Sequence, residues 1–297
     1  MTYLALLQHN PVLYLSIVFV LGLLVGSFLN VVIYRLPVML KRQWKTDCVA
    51  FLDQQQIRSV NEFGDTEDES FNLVAPRSRC PQCGHLITAL ENIPVVSYLF
   101  LRGRCRECKT PISIRYPSIE LLSAILVAVA AWQFGVSLQA GMAMLLTWAL
   151  ICLSFIDYDH QYLPDNITLP FLWLGLFLNL NDLFVDLTSA VIGAMAGYLI
   201  LWLVYQVFKK LTGKEGMGYG DFKLLAMLGA WLGWQALPAI ILLSTLVGSI
   251  VGISLIAFKQ HDRSHPIPFG PYLAIAGWIA LLWGHEINNM YLAWISY

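Results

Sequence analysis

Gly216-Met217-Gly218-Tyr219-Gly220-Asp221 lies between an apolar run that ends near Phe208 and another that begins at Phe222. Its three glycines within five residues argue against a helix, because each costs backbone entropy relative to alanine. The chain is therefore expected to reach residue 221 as a loop, ending in a carboxylate that opens an apolar helix. An acid at the mouth of a membrane helix is expensive and marks a functional-site candidate. Asp is also a favoured helix N-cap, and Asp221 by itself does not separate the two readings.

The flanking sequence decides the class of protein. Hydrophobic residues make up 58% and charged residues 12%, and mean hydropathy is +0.64, whereas a soluble domain carries about 25% charged residues. The sequence predicts an all-α polytopic membrane protein, with the lipid bilayer as its first partner. A net charge of −1 and no basic tail give no sign of a nucleic-acid partner. Apolar runs near residues 11–33, 119–134, 138–156, 166–181, 187–208, 222–235, 236–258 and 268–294 predict about eight transmembrane helices. The first run has no basic stretch before it and exceeds a signal-peptide core in length, so it is read as a retained span.

Basic residues orient these spans. Twelve of the eighteen Lys and Arg fall between Arg35 and Arg115, and the others are Lys209, Lys210, Lys214, Lys223, Lys259 and Arg263. With about eight spans and the N-terminus outside, all of them fall on the cytoplasmic side. The opposite loops, around 135–137 and 182–186, carry none. Both termini are then periplasmic. The domains expected are a first transmembrane helix (1–35), a large cytoplasmic loop (36–118) and a seven-helix membrane domain (119–297). The first half of the loop, with its acidic run from Asn61 to Ser70, reads as a solvated, flexible surface.

The second half holds Cys80-Pro81-Gln82-Cys83 and Cys105-Arg106-Glu107-Cys108, separated by 21 residues. Each CxxC lets one tight knuckle offer two thiolates, so Cys80, Cys83, Cys105 and Cys108 together suit a closed tetrahedral zinc site. Disulfides would not persist in a reducing cytoplasm. A domain this small would need the metal to fold. Cys48 and Cys152 have no comparable partners and are read as inert.

The third span ends in Phe155-Ile156-Asp157-Tyr158-Asp159-His160-Gln161-Tyr162-Leu163-Pro164-Asp165, on the same face as Asp221 by this topology. Two carboxylates a few ångströms apart share a proton; one can activate water while the other polarises a peptide carbonyl. Asp165, between Pro164 and Asn166-Ile167-Thr168, suits a helix cap. Asp157, at the end of an apolar span, is the preferred partner of Asp221, with Asp159 as rival. His160 reads as a neutral loop histidine. Gly26 suits close helix packing, with Asn30 and Arg35 marking the cytoplasmic end, and Trp231, Trp234, Trp278 and Trp283 read as interfacial anchors.

Asp157 through Asp165, together with Gly218-Tyr219-Gly220-Asp221-Phe222-Lys223-Leu224-Leu225, resembles the type IV prepilin peptidases, intramembrane aspartic proteases of the GxGD type. The likeness extends to Gly26-Ser27-Phe28-Leu29-Asn30-Val31-Val32-Ile33-Tyr34-Arg35-Leu36-Pro37, the paired CxxC motifs, Glu91-Asn92-Ile93-Pro94 and Arg115-Tyr116-Pro117-Ser118-Ile119-Glu120. It is collinear over almost the whole chain. The resemblance implies a bifunctional enzyme of the bacterial inner membrane. Such an enzyme cleaves the basic leader from type IV prepilins and type II secretion pseudopilins after a glycine. It then N-methylates the new N-terminal residue with S-adenosylmethionine. The family's protease aspartates fall at Asp157 and Asp221, and methyl transfer is associated with the cysteine-bearing loop domain.

No G-x-G-x-x-G follows a strand, so a Rossmann-type methyl-donor pocket is not supported. Gly103, Arg104, Arg115 and Glu120, beside the second cysteine pair and the second span, are the candidates. Glu120 would equally serve as a helix-start acid favourable to the dipole, and Arg102, Arg104 and Arg106 would equally face lipid headgroups. Two other functions compete: a transporter whose acids form a cation or proton path, and a protease whose cysteine domain is purely structural.

Overall fold

Each expected apolar run is helical in the computed structural model, which describes residues 3–54, 71–259 and 268–295. The acidic run Asn61 to Ser70 and Arg263 lie outside the described residues. The helices are α1 (Tyr3–His9), α2 (Pro11–Gln54), α3 (Val96–Phe100), α4 (Arg115–Phe134), α5 (Leu138–His160), α6 (Asp165–Leu178), α7 (Leu187–Thr212), α8 (Tyr219–Leu232), α9 (Leu237–Lys259) and α10 (Gly270–Ile295). Among the described residues there is no sheet, only two isolated β-bridges. Five helical stretches are long and apolar enough to cross a membrane: Pro11–Gln54, Arg115–Phe134, Leu138–His160, Leu187–Thr212 and Trp234–Ser254. Helices α6 and α8 have 14 residues each, about 21 Å at 1.5 Å per residue, against a hydrocarbon core of about 30 Å. Five crossings are thus supported by length, and eight are not.

The chain divides into two units, Ile17–Ile125 and Met1–Ser16 with Leu126–Tyr297. In the first, α2 is 44 residues long and runs past the expected boundary at residue 35. Residues 36–54 are therefore helix, not the loop expected there. After Pro37 this stretch has no glycine or proline to stop a helix. Helix α2 lies tightly against α4: a Cβ at Gly26 would come 2.7 Å from the Glu120 Cα, and Ser123 Oγ donates to the Gly22 carbonyl at 2.7 Å. Arg35 is buried. It donates to the carbonyls of Asn72 (2.8 Å) and Pro76 (2.6 Å), tying the returning chain to α2.

In the second unit α8, apolar beyond Lys223, forms the centre of the core. Phe222, Leu224, Leu225, Met227, Leu228 and Trp231 are fully buried. Helix α7 approaches it backbone to backbone: Gly193 meets the Gly229 carbonyl, and a Cβ at Gly197 would lie 2.6 Å from the Leu225 carbonyl oxygen. Small residues permit this approach between membrane helices. Trp231 is not an anchor; its Nε1 donates to the Phe171 carbonyl at 2.7 Å inside the core. Trp278 is likewise engaged, donating to Thr147 Oγ1 at 3.1 Å and stacking edge-on against Trp283. Trp234 is exposed, as an anchor would be. Buried Asn179 donates to the carbonyls of Ala230 and Trp231 and accepts from the Phe184 and Val185 amides, satisfying the end of α8 and the turn into α7 together.

Candidate active site and metal centre

Asp157 sits in the last turn of α5, which Ser137 caps at its start by accepting from the Ala140 amide. The helix ends at Gln161, whose left-handed backbone returns its N–H to the Asp157 carbonyl at 2.8 Å. Asp157 is 5% exposed, whereas Asp159, two residues on, is exposed. Residues two apart on a helix do not share a face, so burial separates the two rivals. The Asp157 Oδ2 accepts a hydrogen bond from the Gly270 amide at 2.9 Å. His160, the last residue of α5, lies beside the Tyr162 ring.

The glycine-rich stretch is a loop up to Gly218, which is the N-cap residue of α8. Asp221 is thus not the N-cap. It is the third helical residue, 8% exposed, and its amide donates to the Gly218 carbonyl at 3.2 Å. One side chain links the two halves: Leu163, buried, would meet a Cβ at Gly220 at 2.9 Å and one at Gly270 at 3.3 Å. The end of α5, the turn at Leu163 and the starts of α8 and α10 therefore converge on the two acids. Asp165 does not cap α6, whose N-cap is Pro164. Both of its carboxylate oxygens instead take Lys223 Nζ at 2.7 Å, clasping α6 to α8 two residues beyond Asp221. A cleft of about 230 Å³ opens beside this corner, lined by Thr245, Gly248, Ser249, Pro268, Phe269 and Tyr272.

In the other unit, the Sγ atoms of Cys80, Cys83, Cys105 and Cys108 lie within 4.8 Å of one another. Cys80 to Cys108 is 3.8 Å and Cys83 to Cys105 is 4.0 Å, about the edge of a tetrahedron with metal–sulfur bonds of 2.3 Å. The two knuckles are copies offset along the chain. Cys80 N donates to the His85 carbonyl and Cys105 N to that of Thr110, each at 2.9 Å. Arg79 bridges Leu86 as Arg104 bridges Pro111. Gly84 and Lys109 hold equivalent left-handed positions, φ 72° and 60°. Glu91 fastens the pair: it accepts from the Thr88 amide and hydroxyl, meets His85 of the first knuckle at 3.2 Å, and faces Arg106 of the second at 3.8 Å. Those Thr88 bonds, with His85, hold the Glu91 carboxyl down to about 2. Thr110 beside Cys108 draws that thiol below its ordinary range.

The methyl-donor candidates have contacts of their own. A Cβ at Gly103 would lie 2.8 Å from the Tyr98 hydroxyl. Glu120, buried at the start of α4, accepts from the Val95 amide at 2.7 Å and from Ser27. Arg104 is exposed beside its bridge to Pro111, and Arg115 opens α4 half-buried. Gly103 and Glu120 are each engaged by neighbours within the protein.

Reading the residues alone missed Gly270, Leu163 and Glu91. The signal for Gly270 was Pro268-Phe269-Gly270-Pro271 at the head of an apolar run, where a glycine between two prolines fixes a helix start. Leu163 gave no signal, since one leucine in a turn looks like any other.

Residues 20–134 match the bacterial peptidase A24 N-terminal domain, and residues 144–253 match the type IV leader peptidase family. The chain is 57% identical over 296 residues to a prepilin leader peptidase/N-methyltransferase of Aeromonas salmonicida, covering 99% of this chain and all of that one. It is 53% identical over 291 residues to the protein of that name from Pseudomonas aeruginosa, covering 98% of each. The one from Legionella pneumophila is 44% identical over 290 residues, again covering 98% of each. No solved structure matches the chain significantly.

Proposed function

The chain belongs to the type IV leader peptidase family, and from that membership we propose that it removes the leader of prepilins and pseudopilins and N-methylates the new N-terminus. The observation that carries the proteolytic half is that Asp157 and Asp221, two buried acids from separate helix ends, are drawn to one corner by Leu163, which packs against Gly220 beside Asp221 and against Gly270, the donor to Asp157. In the proposed reaction, the ionised carboxylate takes a proton from water as the water oxygen adds to the peptide carbonyl carbon. The protonated carboxyl gives its proton to the carbonyl oxygen. Collapse of the tetrahedral species breaks the C–N bond: the departing nitrogen takes the proton accepted in the first step, and a hydroxyl of the tetrahedral carbon returns its proton to the other carboxylate, which re-forms the carbonyl and restores the pair. The site is on the bacterial inner membrane's cytoplasmic face in this reading, where a basic leader would remain while the apolar helix after it stays in the bilayer. Glycine at the cut makes local unwinding of that helix cheap.

The four cysteines fit structural zinc: the donor set is all thiolate and leaves no open position for chemistry. Zinc, when bound, would hold both knuckles and stabilise a domain with little apolar core. S-adenosylmethionine is the methyl donor that the relatives' name implies, and no residue is assigned to it. The test is incubation of the purified full-length protein with a prepilin and labelled donor, reading cleavage and methylation together. Asp157→Asn and Asp221→Asn should each lower cleavage by about 10³-fold or more, while Asp159→Asn stays near the parent. Retained cleavage in either of the first two would remove that residue from the pair.

A further inference from the structure

Gly270 is the first residue of α10, where the opening N–H groups of a helix have no intrahelical acceptor. Of these, Pro271 has no N–H to give, and the Tyr272 and Leu273 amides are used on the Phe269 carbonyl at 3.1 and 3.2 Å. The Gly270 N–H remains, and it goes to the buried Asp157 Oδ2, 113 residues away in sequence. Space at this point is filled completely. A Cβ on residue 270 would lie 2.7 Å from Asp157 Oδ2, 3.1 Å from its Cγ and 3.3 Å from Leu163 Cδ2. The backbone at 270 is not left-handed, so conformational freedom does not explain the glycine. The carboxylate does.

We propose that Gly270 is the positioning residue of the dyad. Its backbone N–H fixes Asp157 Oδ2, and its missing side chain is the room that carboxylate occupies. This rests on the reading of Asp157 and Asp221 as the catalytic pair. An added methyl keeps the N–H but displaces the carboxylate it must meet. Displacement of a reacting group by about 1 Å typically costs about 100-fold in rate, whereas substrate binding elsewhere on the protein is untouched.

The experiment compares Gly270→Ala with Gly277→Ala in the full-length enzyme, using prepilin cleavage and counting only folded molecules. Gly277 lies on the same helix, and a methyl there crowds Leu228 instead of an acid. Gly270→Ala should lower kcat by about 10- to 100-fold with KM changed less than about twofold, and Gly277→Ala should leave kcat per folded molecule near the parent. Carbodiimide labelling mapped by mass spectrometry should change at Asp157 in Gly270→Ala alone. If Gly270→Ala does not accumulate, Leu163→Ala and Leu163→Ala/Gly270→Ala are compared, because removing Leu163 leaves the new methyl facing only the carboxylate. Parental kcat in Gly270→Ala, or an equal loss in Gly277→Ala, overturns the proposal. Parental cleavage by Asp157→Asn in the same assay removes the dyad reading, and Gly270's role with it. Inactivity of that variant with a fully active Gly270→Ala leaves the dyad standing and defeats only the positioning role.

Discussion

Three acids within nine residues of one another, Asp157, Asp159 and Asp165, differ by what surrounds them more than by what they are. Asp157 is buried and held by a backbone amide, Asp159 is exposed, and Asp165 is neutralised by Lys223. The types and positions of these side chains were legible in the sequence, but the donors were not, because a backbone N–H carries no residue-type signature. The same holds for Glu91, which appears in sequence only as one acid in Glu91-Asn92-Ile93-Pro94. Its carboxyl is held down to about 2 from an ordinary value of 4.5. A carboxylate depressed in the folded state stabilises it fully above the ordinary value and progressively less as pH falls towards the folded one. Glu91→Gln should therefore weaken protection of residues 80–112 in hydrogen exchange near neutral pH, and the gap from the parent should close between pH 4.5 and about 2. A gap independent of pH would show that Glu91 acts by shape and not by charge.

At the scale of elements, periodicity and length identified the helices, and propensity misjudged where two of their features lay. The segment after residue 35 ends the apolar run with Lys41, Arg42, Lys45, Asp47 and Asp53, yet it holds nothing that breaks a helix and continues α2 to Gln54. Aromatic residues favour interfaces, but Trp231 is fully buried in the core. The knuckles show the opposite case: the CxxC spacing announced the cluster, and their duplication became visible only in matching hydrogen bonds and φ angles. Each copy contributes two thiolates, so losing one cysteine leaves three ligands and opens the site. Cys80→Ser or Cys105→Ser should lower zinc in the purified protein from about one equivalent to a small fraction and expose residues 78–112 to protease. Metal content unchanged from the parent would defeat the zinc assignment.

For the whole molecule, composition sufficed to announce an all-helical membrane protein, and the basic residues offered an orientation. With the two short helices counted as crossings, all eighteen Lys and Arg fall on one side. Single cysteines at Ser137 and Val185 should then react with a membrane-impermeant maleimide added to whole cells whose outer membrane has been permeabilised. A cysteine at Lys214 should react only after the inner membrane is opened. Labelling of Lys214→Cys from outside would invert the orientation and move the two acids to the other face.

Helices α6 and α8 have a further consequence. Hydrolysis consumes a water molecule for every bond cut, and a hydrocarbon layer holds almost none. Both helices begin beside the acids, at Asp165 and Tyr219, and each falls about 9 Å short of the layer's thickness. The polar turn at Gln161 and the glycine loop at Gly216 precede them in the chain. If both helices cross, their missing turns are where water, the reactant that lipid excludes, would reach the carboxylates.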